Sequence, residues 1–147
     1  RELIGRFAFP VMKVLQFAFN GEFVKNTHLP HNHSENAVVY TGTHDNNTTL
    51  GWYRRDVTAR QRKILADYIG KKLNQRTIHQ EMTRMAFGSV AKLAILPMQD
   101  VLGLDEKSRM NNPATANNNW RWRMMPGVLK AGTSRQLRKL IEQYGRL

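Results

Sequence analysis

An imidazole and a carboxylate stand side by side at His44 and Asp45, within Val38-Val39-Tyr40-Thr41-Gly42-Thr43-His44-Asp45-Asn46-Asn47-Thr48-Thr49-Leu50-Gly51-Trp52. The small, polar turn that carries them exposes both groups. Taken alone, a His-Asp pair in a polar turn is by default a local hydrogen-bonded cap. What raises it above that default is its frame: three β-prone residues lead into the turn, three more hydrogen-bonding side chains follow, and a tryptophan closes the block. A buried strand of an α/β protein delivers reactive groups in this way, at its C-terminal end.

Three apolar segments are expected to be strands. Residues 13–19 carry a near-continuous apolar run, Val14, Leu15, Phe17, Ala18 and Phe19, interrupted by Gln16; residues 38–40 lead into the His-Asp turn, and residues 93–96 end at Pro97. Such runs suit strands of a parallel sheet covered on both faces. Gln16 reads as a satisfied interior amide, with a ligand contact as the alternative. Pro10 separates the first strand from a short mixed stretch over residues 2–9. Helices are expected from Thr58, with Gln61 completing a capping box, and from Thr77 to about residue 91, with Gln80 in the same relation. Ile64, Leu65, Tyr68 and Ile69 fall on one face of the first, Ile78, Met82, Met85, Ala86 and Val90 on one face of the second. Gly70 is either a flaw in the first helix or its stop. Ser134 is expected to cap a last helix carrying Leu137, Leu140, Ile141 and Tyr144. The order is strand, loop, strand, helices, strand, loop, helix, with no internal repeat.

Two loops join these elements. Residues 20–36 hold His28, His31 and His33, which invite a metal reading. The acidic and supporting partners of a metal site are not evident, so none is expected. Residues 103–119 are irregular and amide-rich, with Asn111, Asn112, Asn117, Asn118 and Asn119 around Pro113.

Composition narrows the class. The chain of 147 residues carries 23 Lys and Arg against 11 Asp and Glu, a net charge of +12. That excess raises nucleic acid or an anionic membrane as a partner. Its distribution argues against both: residues 1–50 hold 4 basic and 4 acidic side chains, residues 51–92 hold 10 and 3, residues 93–147 hold 9 and 4. The charge therefore lies away from the His-Asp block, on stretches that read as surface helices. A basic nucleic-acid-binding module remains the rival reading, resting on charge and on Arg121 and Arg123 interleaved with Trp120 and Trp122. Those arginines read better as side chains lying over an apolar surface. No Cys is present, which removes disulfides and thiolate chemistry and suits the cytoplasm. No apolar run approaches the roughly 20 residues of a membrane span.

The His-Asp block resembles the 4-α-glucanotransferases, the amylomaltase or disproportionating-enzyme family. Met12-Lys13-Val14-Leu15-Gln16-Phe17-Ala18-Phe19 agrees before it. After it come Leu96-Pro97-Met98-Gln99-Asp100-Val101-Leu102-Gly103-Leu104, then Met110-Asn111 and Asn119-Trp120-Arg121-Trp122-Arg123. The resemblance implies a (β/α)₈ barrel, which runs to about 250 residues. This chain, beginning at Arg1, is then expected to be the C-terminal part, about strands six to eight, without a separate second domain and requiring the remainder of the barrel.

The activity so implied is transfer of an α-1,4-glucan segment to the 4-hydroxyl of another glucose or glucan with retention, needing no metal or organic cofactor. A retaining site uses a carboxylate nucleophile and a carboxyl that acts as acid and then base. A third carboxylate that holds ring hydroxyls can steady the oxocarbenium-like transition state. Asp45 matches that third position, His44 the residue beside it that binds the same sugar, and Asn111 the family asparagine near the cleft. Trp120 is carried as a sugar-stacking candidate against a core role; core packing is the default for Trp52 and Trp122. The nucleophile and the acid/base belong to earlier strands. Glu2, Glu22, Glu35 and Asp100 are poor substitutes, and Asp100 is expected to be structural. A hydrolase or debranching relative on the same barrel is the nearer alternative. Three departures from the family pattern stand out: Val11 replaces a glycine, Asn47 an aspartate, and Ala114 the glycine of an Asn-x-Pro-Gly turn.

Overall fold

The computed structural model describes residues 6–21, 23 and 25–146; Glu2 and Glu22 lie outside them, as does most of the stretch before Phe7. Three strands, β1 (Val11–Val14), β2 (Ala37–Tyr40) and β3 (Leu93–Ile95), form one sheet in the order β1-β2-β3. Both pairings are parallel, with Val14 opposite Tyr40 and Tyr40 opposite Ile95. Among the described residues, three helices of ten residues or more accompany them: α1 (Ala59–Ile69), α2 (Ile78–Phe87) and α3 (Ala131–Gln143). Parallel strands need long crossovers, and the sequence supplies them as a loop between β1 and β2 and a helical pair between β2 and β3.

The first strand is shorter than its apolar run. After Val14 the chain turns into a 3₁₀ segment, Leu15–Phe17, closed by the Ala18 N–H donating to the Leu15 carbonyl at 3.0 Å. Leu15, Ala18 and Phe19 recur at helical rather than alternating spacing, and all three are buried in the same core. A strand through residue 19 would have sent Ala18 to the face opposite Leu15 and Phe19.

Helix α1 forms as its signals require. The Thr58 hydroxyl accepts from the Gln61 N–H at 3.2 Å while the Gln61 side chain accepts from the Thr58 N–H at 2.9 Å, and Gly70 ends the helix in the left-handed region. Helix α2 starts differently from its sequence signal. Thr77 makes no side-chain cap; the Asn74 side chain instead accepts from the N–H groups of Arg76 and Thr77. The helix stops at Phe87, which leaves Val90 exposed. The Arg146 guanidinium covers that end, donating to the carbonyls of Ala86, Phe87, Ser89 and Ala91. Helix α3 begins at Ala131, so Ser134 lies inside it and is not its cap.

Leu15, Phe19, Leu29, Val39, Leu65, Ile78, Met82 and Ala86 build the core between the sheet and the helices, joined by Trp52. Each large aliphatic side chain so buried contributes about 1.5–3 kcal/mol. The sheet is not covered on every side: Leu93 and Ile95 of β3 are exposed, contrary to the expectation of a strand buried on both faces, Leu93 lining a groove with Leu137 and Ile141 of α3 and Ile95 a cavity beside Tyr40. Among the described residues no helix is long and apolar enough to cross a membrane.

Candidate functional site

The site is a loop, residues 41–48, at the C-terminal end of β2. Both of its ends are fastened to one carboxylate. The Thr41 hydroxyl donates to Asp100 Oδ2 at 2.5 Å, and Thr49 donates its N–H to Oδ1 at 2.7 Å and its hydroxyl to Oδ2 at 2.8 Å. Asp100, two residues beyond Met98 on the short helical turn after β3, is 2% exposed. Burial pushes its carboxyl above the usual carboxylate range, with the threonine hydrogen bonds and nearby His79 opposing.

Inside those ends the loop folds on itself. Gln16, buried as an interior amide, donates to the Asn47 carbonyl at 2.9 Å, so of its two readings the satisfied amide is the one found. Gly42 makes room for it, since a Cβ there would lie 2.6 Å from Gln16 Nε2. Asn46 Oδ1 accepts from the N–H and hydroxyl of Thr43 at 2.9 and 2.8 Å, tightening the turn. His44 and Asp45 are thereby carried at the tip, with side chains 56% and 49% exposed and His44 Nε2 3.3 Å from Asp45 Oδ1.

Beyond the tip the chain forms a helical turn, Thr49–Gly51, that widens into a π-helical segment, Trp52–Asp56. The sequence reading missed it, and such segments are rare enough to be poorly signalled. Asn47 donates to Asp56 Oδ2 at 3.2 Å. An aspartate at position 47 would face Asp56 with like charge, which gives this departure a local logic.

The second loop, between β3 and α3, closes on the first. Asn111 Nδ2 donates to Asp45 Oδ1 at 2.6 Å and the Asn111 N–H donates to the His44 carbonyl at 3.0 Å. Arg109 donates from Nη2 to the Asp45 carbonyl at 2.6 Å and from Nε to the Asn111 carbonyl at 2.8 Å. The Trp120 ring lies 5.0 Å from that of His44, tilted by 39°. Trp120 reaches this place through a left-handed backbone, φ 62°, following Asn118 at φ 64°. For a bulky residue that conformation is strained, and strain of this sort gathers at functional sites. Asn119 ties the loop together, accepting from the Asn112 N–H at 2.8 Å and donating to the Thr115 carbonyl at 2.7 Å.

His44 and Asp45 of one loop and Asn111 and Trp120 of the other thus come together. Beside them opens a cavity of about 360 Å³, lined by Tyr40, Thr43, His44, Gln99, Arg109 and Trp120 among others; Asp45 is not one of its lining residues. Arg109 was not singled out from the sequence, where nothing marks it except its place two residues before Asn111. Trp52 is buried in the core. Arg121 donates to Asn118 Oδ1, and Arg123 to the carbonyls of Trp120 and Trp122, so both guanidinium groups brace the loop.

The three loop histidines have other work. His28 Nδ1 accepts from the Val14 N–H at 3.0 Å, His33 bonds Ser89 and the His28 carbonyl, and His31 meets the Tyr68 hydroxyl at 3.0 Å. Burial, with nearby Lys13, holds His28 and His33 below the usual imidazole range. Among the described residues no group of three or more His, Asp or Glu could hold a metal ion.

The family model described as 4-alpha-glucanotransferase matches residues 1–129. The chain belongs to the 4-alpha-glucanotransferase family. A 4-alpha-glucanotransferase of Synechocystis sp. is 49% identical over 145 residues, and one of Streptococcus pneumoniae 45% identical over 146. The alignments cover 98% and 99% of this chain and 28% of each of those proteins, so the chain spans little more than a quarter of their length. Among solved structures, the amylomaltase from Streptococcus agalactiae in complex with acarbose superposes with a TM-score of 0.91 at 32% identity, covering 98% of this chain and 29% of that one. Plant 4-alpha-glucanotransferases of the family, from Solanum tuberosum and Arabidopsis thaliana, are chloroplastic or amyloplastic proteins.

Proposed function

We propose that this chain is the C-terminal portion of a 4-α-glucanotransferase barrel and contributes one half of its glucan site. Its three parallel strands are then the sixth to eighth of a (β/α)₈ barrel, with residues 1–147 belonging to the catalytic domain. Asp45 is the carboxylate that holds ring hydroxyls of the distorted sugar. His44 and Asn111 bind the same sugar, and Trp120 offers an apolar face beside them. The observation that carries this reading is the Asp45–Asn111 contact at 2.6 Å, backed by His44, in a loop at the C-terminal end of a parallel strand.

The reaction follows from what such groups can do. A nucleophile and an acid/base carboxyl on the preceding strands break the α-1,4 bond and form a glycosyl-enzyme, which the 4-hydroxyl of an acceptor glucan then attacks. Asp45 acts on neither bond directly. Its hydrogen bonds to the ring hydroxyls strengthen as positive charge develops, so its effect falls on the transition state more than on substrate binding. No metal or organic cofactor takes part in the step as proposed.

The test is Asp45→Asn in the full-length polypeptide, assayed by disproportionation of maltotriose. The expected result is a loss of at least about 100-fold in kcat with the melting temperature kept. Retention of kcat would overturn the assignment.

A further inference from the structure

Three hydrogen bonds join residues 44–45 to residues 109–111, and the guanidinium that makes one of them makes a fourth within the second segment. Arg109 Nη2 donates to the Asp45 carbonyl at 2.6 Å, and Arg109 Nε to the Asn111 carbonyl at 2.8 Å. The other two join the same segments directly, from Asn111 Nδ2 to Asp45 Oδ1 and from the Asn111 N–H to the His44 carbonyl. Arg109 also lines the cavity next to His44 and Trp120. The two segments lie in loops that follow different strands, and these are the bonds that join them directly at the Asp45 carboxylate.

We propose that Arg109 is a positioning residue, whose guanidinium spans the Asp45 and Asn111 carbonyls and thereby holds the Asp45 carboxylate and the Asn111 amide in register for one sugar. The proposal rests on the glucan reading given above. Two donors on one rigid planar group fix the separation of the two carbonyls. Since each carbonyl is on the same residue as a proposed sugar-contacting side chain, a slip of the backbone is a slip of the site. Lysine would keep the charge and lose the fork, because its ammonium is a compact donor on a flexible stem.

Arg109→Lys and Arg109→Ala are made in the full-length polypeptide beside Asp45→Asn, with maltotriose as donor and acceptor. The expected result is a fall in kcat of about 10- to 100-fold for both Arg109 variants, the cost of a displacement near 1 Å, with KM changed by less than about threefold. Crystal structures of the two variants should show the 2.6 Å contact of Asp45 and Asn111 lengthened or lost. A kcat for Arg109→Lys within about twofold of the parent would refute the proposal. So would a rise in KM at unchanged kcat, which belongs to a direct sugar contact, or an intact Asp45–Asn111 contact in Arg109→Ala. If Asp45→Asn is inactive while Arg109→Lys is normal, the Arg109 proposal alone fails. If Asp45→Asn is fully active, the glucan assignment fails, and the crystal geometry still decides whether Arg109 holds the pair together.

Discussion

Asp100 accepts from Thr41 on one side of the His-Asp loop and from Thr49 on the other, while remaining 2% exposed. The nine residues 41–49 are thus closed into a ring by a side chain more than fifty positions away. Gly103, with φ 65°, lets the chain leave that region close to His79, whose ring a Cβ would meet at 2.8 Å. Removing the carboxylate leaves a buried N–H and two buried hydroxyls without their acceptor. Asp100→Ala should therefore destabilise by about 2–4 kcal/mol, read as a lowered urea midpoint. Asp100→Asn should cost less, since one amide oxygen can still take the Thr49 N–H and threonine hydroxyls can reverse their roles. Equal stability of all three forms would show that the ring of hydrogen bonds does not hold the loop.

At the scale of elements, the histidine-bearing loop is fastened to its neighbours by neutral imidazoles. His28 accepts from the N–H of Val14 in β1, and His33 links Ser89, ahead of β3, to the His28 carbonyl. Both histidines titrate below the ordinary 6.5 in the folded protein, first through burial. The unfolded chain therefore takes up protons first as pH falls, and stability conferred by the neutral rings is present above about pH 6.5 and lost on acidification. Thermal melts should show a falling midpoint between about pH 7.5 and 5.5, and His33→Asn should flatten that fall. A midpoint that rises over this range would contradict the assignment. Protonation of His28 has a specific structural cost, because its Nδ1 can then no longer accept from β1.

At the scale of the molecule, the sheet exposes what a sheet ordinarily hides. Met12 of β1 and Leu93 and Ile95 of β3 are exposed, as are Met125 and Leu129 in the segment before α3. Open parallel edges and uncovered apolar faces invite association. The 147-residue chain by itself should self-associate or unfold without cooperativity, as followed by sedimentation and thermal melting. It should also show no appreciable transfer between malto-oligosaccharides, because under the proposed reading two catalytic carboxylates lie outside it. A monodisperse monomer that melts cooperatively would count against the first expectation, and turnover against the second.

Much of this arrangement could be read in the residues. Thr58 with Gln61 announces a capped helix because both signals are local, and Asn111 belongs with Asp45 because the resemblance pairs their blocks. The strand before the His-Asp turn is equally legible, since β-branched residues and a following Gly42 leave little choice. Other features are decided by contacts between distant segments. Leu15–Phe17 turns away from the strand because Ala18 and Phe19 have a core to enter; Ser134 is passed over as a cap because α3 begins earlier, at Ala131. Nothing local distinguishes Arg109 from the other basic residues, and its two carbonyl partners become visible only when the two loops meet. Short-range order follows from propensity and capping, which act within a few residues, whereas the site's register depends on hydrogen bonds between loops that only the folded sheet brings within reach.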